Sequence, residues 1–128
     1  MARISCSKQL TIHIVKGELL FDEAVECVKE FYEVKPTKDV LWDLREGTWK
    51  DISEEQIHGL ISFISKHAHI REGGRSAMVV PDDIDYGIAR AFQSYTADLP
   101  FESGVFRTMD EAIKWLTEDV RPSVSYVK

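Results

Sequence analysis

Residues 40–45 read Val-Leu-Trp-Asp-Leu-Arg, and residues 53–56, a short loop later, read Ser-Glu-Glu-Gln. The first stretch is short, mostly apolar and bounded by turn residues, which is typical of a strand covered on both faces. The second is a capping box, in which the Ser53 hydroxyl accepts from the third backbone amide and Gln56 reaches back. A buried strand followed by a capped helix predicts one strand–helix unit of a parallel sheet.

The same alternation extends to both sides of this unit. Residues 9–16 alternate apolar and polar side chains, which predicts a half-buried strand with its apolar side chains inward and Thr11 and His13 on the opposite face. Ile4 and Cys6 predict a short strand before it. The remaining predicted elements are helices over 22–34, 54–68 and 84–97, strands over 77–80 and 103–107, and a last helix opened by a second capping box at 108–111.

This order predicts an α/β fold in one domain over residues 1–119, with a mixed, mostly parallel five-stranded sheet and four helices, followed by a C-terminal tail over 120–128. The chain has 128 residues, 22 acidic and 16 basic, for a net charge of −6. This balance argues against a nucleic-acid or anionic-membrane surface.

Several other classes of protein are excluded by the sequence. No apolar run approaches the roughly 18 residues of a membrane span, and residues 1–8 lack the apolar stretch of a signal peptide. Cys6 and Cys27 form no C-x-x-C pair, and the four histidines lack zinc-ligand spacing. Cys27 falls on an apolar helix face and is interpreted as a small core hydrophobe. We expect a cytoplasmic protein without a metal or cofactor.

Four strings carry a family resemblance: V-L-W-D-L-R at 40–45, G-T-W-K-D-I-S-E-E at 47–55, M-V-V-P-D at 78–82 and V-F-R-T-M-D-E-A-I-K-W-L at 105–116. Together they resemble the SpoIIAA-like branch of the STAS proteins (sulfate transporter and anti-sigma factor antagonist), a bacterial branch also compared with lipid-binding CRAL-TRIO folds. The resemblance covers about residues 8–117. It implies a STAS fold and a non-catalytic regulatory or ligand-binding module that acts through protein–protein contacts. The alternative is a binder of a small apolar ligand or lipid, held in a pocket between helices and sheet.

In anti-sigma antagonists of that family, a serine that opens the helix after the central strand is phosphorylated, and Ser53 lies at a comparable position. The chain reads Asp51-Ile52-Ser53-Glu54-Glu55, without the serine pair and glycine of the family pattern. The acidic neighbours of Ser53 would repel an added phosphate. We therefore expect Ser53 to act as a helix cap.

Polar residues at the predicted carboxyl ends of the strands form a candidate contact site, because open α/β sheets bind ligands there. A carboxylate within an apolar strand must find a partner or raise its pKa, and Arg45 and Arg107 are candidate partners for Asp43. A structural ion pair, a ligand-recognition role and an acid–base role are all open for Asp43. Trp49 lies in a loop among charged residues and is expected to be exposed, at a contact surface or pocket rim. The candidate ligand or partner contacts are Asp43, Arg45, Trp49, Ser53, Asp82 and Arg107; no residue is predicted to be catalytic.

The C-terminal tail has the sequence of a strand. Residues 123–127 read Ser-Val-Ser-Tyr-Val, and the alternation and β-branched content favour extended structure. The edges of the sheet offer unpaired backbone groups, so we predict a homodimer with Tyr126 and Val127 as tail anchors. A frayed terminus and pairing with the chain's own sheet are the alternatives.

Overall fold

Strands alternate with helices through the computed structural model, which describes residues 2–5 and 9–118. The strands are β1 (Ala2–Ser5), β2 (Leu10–Glu18), β3 (Asp39–Thr48), β4 (Arg75–Val79) and β5 (Glu102–Phe106). The helices are α1 (Phe21–Val34), α2 (Glu54–His67), α3 (Asp83–Tyr95) and α4 (Met109–Leu116), and a 3₁₀ turn over Ala68–Arg71 follows α2. Element bounds differ from the predicted ones by a few residues, mainly because β3 continues to Thr48.

The strands lie in the sheet in the order in which they occur along the chain. Parallel pairing joins four of them, β2 to β5, and β1 pairs antiparallel with β2. Within the described residues, the predicted α/β class with four helices and a mostly parallel sheet is therefore confirmed. The parallel part of the sheet has four strands, β2 to β5.

Helices α1, α2 and α3 form one layer on the sheet. Each connects a strand to its parallel neighbour, and right-handed crossovers between consecutive strands place all three helices on the same face. Ala24 of α1, Ile57 of α2 and Ala89 of α3 accordingly belong to one buried cluster with Met78 of β4. This layer and the sheet enclose most of the core.

Helix α4 covers the opposite face of the sheet. Its buried residues, Ala112 and Leu116, pack against Ala77 and Val79 of β4. These strand residues alternate with Met78, which faces the helix layer, as the two-residue period of a strand requires. The central strands are thus buried on both faces.

The face of β2 that was predicted to be outward is its most buried face. Thr11 and His13 are almost fully buried on the side of the helix layer, whereas Ile12 is partly buried toward α4. The Thr11 Oγ1 lies 2.9 Å from the Thr37 Oγ1, and the His13 Nδ1 lies 3.1 Å from the Cys27 Sγ. The prediction that Thr11 and His13 face away from the core is wrong because parallel strands are covered on both sides.

None of the helices in residues 9–118 is both long enough and apolar enough to cross a membrane.

The predicted tail strand, with Tyr126 and Val127, lies outside the described residues, and so does Cys6. The homodimer therefore stays a prediction. Cys27 is buried on the inner side of α1, as predicted.

Ser53 caps α2 as the sequence predicts. Its hydroxyl accepts from the Gln56 amide at 3.1 Å, and the Gln56 side chain accepts from the Ser53 amide at 2.9 Å. We expect Ser53→Ala to lower the free energy of unfolding by about 0.5–2 kcal/mol, because one helix amide loses its acceptor. Ser62→Ala, an exposed site inside the same helix, should change it by less than about 0.5 kcal/mol. Urea unfolding measures both, and equal effects would contradict the capping role.

Gly74 sits where the chain crosses the backbone of another segment. A Cβ at Gly74 would lie 2.0 Å from the Lys38 carbonyl oxygen, whereas a Cβ at Gly59 of α2 would meet nothing within 4 Å. We expect Gly74→Ala to destabilise the protein by about 1–3 kcal/mol through this overlap. Gly59→Ala should stabilise it by about 0.5–1 kcal/mol, because alanine favours an exposed helix interior. Opposite shifts of the thermal midpoint are the expected result, and a neutral Gly74→Ala would contradict the overlap.

Candidate functional site

Asp43 and Arg45 form an ion pair in the middle of β3, where the pairing of this strand with β4 ends. The Arg45 Nε and Nη2 donate to the two Asp43 carboxylate oxygens at 3.0 and 2.9 Å, and the Arg45 amide donates to Oδ1 at 3.0 Å. The Asp43 side chain is 7% exposed and that of Arg45 is 53% exposed. Desolvation raises the pKa of Asp43, but the hydrogen bonds and charge of Arg45 outweigh it and hold that pKa below its usual value.

Arg107, the other predicted partner of Asp43, bonds elsewhere. Its Nη1 donates to the Asp83 carboxylate at 2.7 Å and to the Pro81 carbonyl at 2.8 Å, and its guanidinium stacks 3.9 Å from the centre of the Tyr86 ring. Strand β4 lies between β3 and β5 in the sheet, so Arg107 follows a strand that is not adjacent to the one that carries Asp43.

Asp82 likewise has a structural contact. Its carboxylate accepts from the Ile84 and Asp85 amides at 3.0 and 3.2 Å and caps α3. The polar residues at the strand ends therefore form separate contacts rather than one site, with Asp43 joined to Arg45, Arg107 to Asp83, and Asp82 and Ser53 each capping a helix.

Trp49 is a core residue, and the expectation that it is exposed is wrong. It is 9% exposed, its Nε1 donates to the Asp85 carbonyl at 3.1 Å, and its amide donates to the Asp85 carboxylate at 3.2 Å. The Thr48 hydroxyl donates to the same carboxylate at 2.7 Å. These bonds fasten the loop after β3 to the first turn of α3, so the loop gives no exposed tryptophan for a partner.

Trp49 instead lines a cavity between the helix layer and the sheet. The cavity has a volume of about 70 Å³, and none of its described lining residues is exposed. Trp42 of β3, Phe92 of α3 and Phe101 before β5 give it a largely aromatic wall. The full lining is His13, Leu19, Val28, Phe31, Tyr32, Val40, Trp42, Trp49, Ile57, Leu60, Ile64, Arg71, Ser76, Met78, Ile88, Phe92 and Phe101.

One end of the cavity is polar. Arg71, at the end of the 3₁₀ turn, lies there with Ser76 and Tyr32. The Arg71 Nη2 donates to the Ser76 Oγ at 2.8 Å, and the Nη1 lies 3.5 Å from the Tyr32 hydroxyl. Arg71 lies between the helix predicted over 54–68 and the strand predicted over 77–80, in a connecting segment where arginine is ordinarily exposed. No signal in one sequence distinguishes this buried arginine from a surface one.

His13 adds a second polar group to the wall. Its ring lies 4.5 Å from that of Trp42, centre to centre, while its Nδ1 contacts the Cys27 Sγ. A histidine beside a thiol is the arrangement that activates cysteine nucleophiles. Here both side chains are buried, the Cys27 contact holds the imidazole in place, and of the two residues His13 lines the cavity. Thr11, His13 and Val15 are two residues apart along β2 and therefore share one face of the strand. This spacing was the sequence signal that could have placed His13 on the buried face.

The chain matches no family model, no curated protein and no solved structure in the corresponding comparisons. Within residues 9–118, no three histidine, cysteine, aspartate or glutamate side chains are grouped so as to hold a metal ion.

The Asp43–Arg45 pair predicts a pH dependence of stability. Because the folded-state pKa of Asp43 is lowered, its contribution is present above the unfolded pKa of about 4 and is lost as the pH falls through the folded-state value. We expect Asp43→Asn to cost about 1–3 kcal/mol at pH 7 and progressively less below pH 4. Unfolding by urea across this pH range measures the difference from wild type.

Arg45→Gln should show the same convergence with wild type at acid pH, since it removes the other half of the pair. Arg90→Gln, at an exposed site on α3, should follow the wild-type curve throughout. A constant gap between Asp43→Asn and wild type from pH 7 to pH 3 would contradict the ion pair.

Proposed function

We propose that the protein is a non-catalytic binding module that holds a small apolar ligand in the cavity between the helix layer and the sheet. The observation that carries this proposal is the cavity itself, lined by side chains from the sheet and from all three helices of the layer. Protein interiors are otherwise packed with few voids larger than a water molecule. A void among aromatic and aliphatic side chains is therefore a place where a ligand improves packing.

Filling the cavity would stabilise the fold appreciably. At about 24 cal/mol per Å³, an occupant of this volume of about 70 Å³ would contribute about 2 kcal/mol. Domains of this kind are stable by only about 5–15 kcal/mol in total. A molecule that fills the space would supply much of that stabilisation. It would bind the folded chain and not the unfolded chain.

The volume also limits the size of the ligand. Drug-sized ligands occupy pockets of about 300–1,000 Å³, and an engineered cavity of about 150 Å³ accepts benzene. The cavity of about 70 Å³ is smaller than either and suits a molecule of a few non-hydrogen atoms. Of the ligands implied by the family resemblance, a small apolar molecule is favoured over a long-chain lipid.

The proposal includes the family and the regulatory role that the sequence implies. The SpoIIAA-like STAS assignment is supported by the α/β order and the mostly parallel sheet. A ligand in the cavity touches α1, α2 and α3 from within, so its presence would alter how these helices pack. A protein partner that contacts the outer side of this layer, in the cytoplasm, would respond to that change.

The test uses xenon and 1-butanol as apolar probes, together with native mass spectrometry of freshly purified protein. We expect both probes to bind saturably, and chemical shift changes of the Trp42 and Trp49 indoles measure that binding. Alternatively, native mass spectrometry detects a small ligand that is retained through purification. Val28→Phe places a larger side chain in the cavity wall and should abolish binding. Val25→Phe, also on α1 but outside the lining, should retain it.

Two results would contradict the proposal. One is wild-type protein that purifies without a ligand and binds neither probe. The other is equal binding by Val28→Phe and Val25→Phe, which would place the bound probe elsewhere.

A further inference from the structure

We propose that the small, mostly apolar ligand of this cavity carries one carboxylate, and that this charged group pairs with Arg71. This inference rests on the proposed function and specifies its ligand class. It starts from the contrast between two arginines, Arg71 and Arg75, which are four residues apart and both almost fully buried.

Arg75 has acidic partners. It is 1% exposed, and its Nε and Nη1 lie 3.2 Å from carboxylate oxygens of Glu102 and Glu118. Its Nη1 also donates to the Trp115 carbonyl, and its guanidinium lies 4.9 Å from the centre of the Trp115 ring. The buried charge of Arg75 is thus balanced within the chain.

The acceptors of Arg71 among the described residues are all neutral. It is 3% exposed, and it donates to the Lys38 carbonyl at 3.0 Å, the Arg75 carbonyl at 3.1 Å and the Ser76 hydroxyl at 2.8 Å. Among residues 9–118, no carboxylate forms an ion pair with it.

Asp39 is the acidic residue whose charge acts on Arg71, and one of its oxygens accepts from the Arg75 amide at 2.9 Å instead. Burial lowers the pKa of Arg71, which reflects the cost of holding its charge out of water. Arginine nevertheless stays protonated in proteins, so the cavity wall carries a positive charge without a described counter-charge in contact.

The Nη1 of the guanidinium, at the edge of the cavity, has hydrogen-bonding capacity that its described contact does not fill. The Nη1 has two N–H groups, and its described partner is the Tyr32 hydroxyl at the long distance of 3.5 Å. Tyr32, Arg71 and Phe101 all line the cavity, and the Phe101 ring lies 4.3 Å from the guanidinium carbon. A carboxylate at this corner would accept from the Nη1 and from the Tyr32 hydroxyl, and its hydrocarbon part would lie against Phe101 and Val40.

Charge and size select a carboxylate among anions. One guanidinium balances one negative charge, whereas a phosphate dianion would bury a second charge without a partner. The apolar remainder of the lining excludes a purely inorganic ion as the best occupant, because such an ion would leave most of the cavity unfilled. The ligand class is therefore an aliphatic carboxylate of a few carbons.

The closing experiment compares butyrate with butyramide, which has the same number of non-hydrogen atoms and no charge. Calorimetric or NMR titration of the wild-type protein, in buffer without other carboxylates, should show butyrate binding at least about tenfold more tightly, since charge-assisted hydrogen bonds are about twice as strong as neutral ones. Tyr32→Phe should weaken butyrate binding several-fold. Tyr95→Phe, which removes a hydroxyl outside the cavity lining, should leave it unchanged.

The outcomes separate this inference from the function on which it rests. If xenon binds in the cavity but butyrate binds no better than butyramide, the carboxylate is wrong and the apolar cavity stands. If the protein purifies without a ligand and binds neither xenon nor butyrate, both proposals fail. Arg71→Gln, where it folds, should remove the preference for butyrate; a preference that persists in this variant would overturn the role of Arg71. The wild-type comparison decides the matter even if that variant does not fold.

Discussion

Parallel pairing of consecutive strands is the constraint on which the other features depend. Because β2 to β5 are paired in chain order, their three crossover helices lie on one face, and among the described helices α4 covers the other. Both faces of the central strands are then withdrawn from water, and every polar side chain on them needs a partner inside the protein. The Thr11 hydroxyl hydrogen-bonds the Thr37 hydroxyl, and the His13 ring contacts the Cys27 thiol. In the described residues no buried side-chain nitrogen or oxygen is left without a hydrogen bond.

Local patterns in the sequence were sufficient for the architecture. Helix caps at Ser53 and Thr108 follow from short-range hydrogen bonds, and the alternation of strand and helix patterns follows from side-chain periodicity. The pairing of Asp43 with a nearby arginine could also be predicted, because a buried carboxylate needs such a partner. Arg107 is not the partner because β4 lies between β3 and β5 in the sheet, and no local pattern in the sequence gives this strand order.

The cavity and its polar end could not be predicted, since they depend on contacts between distant segments. Trp49 has charged neighbours in sequence, yet Asp85, 36 residues later, accepts from both its indole and its amide. Arg71 comes from a turn that looks solvent-facing, and Gly74 is what permits that turn to approach the Lys38 backbone. The burial of His13 was within reach of sequence reasoning, because parallel strands covered on both faces do not have a solvent side.

The position of the cavity bears on timing as well as on affinity. Helices α1, α2 and α3 lie over the space, and its described lining residues are all at least partly buried, so movement of packed side chains or helices would speed the entry and exit of a molecule. Collective motions of this kind take microseconds to milliseconds or longer. The residence time of a bound molecule would then depend on the rate at which these helices or side chains move apart. A partner protein that clamped α1 or α2 from outside would trap the occupant without touching it.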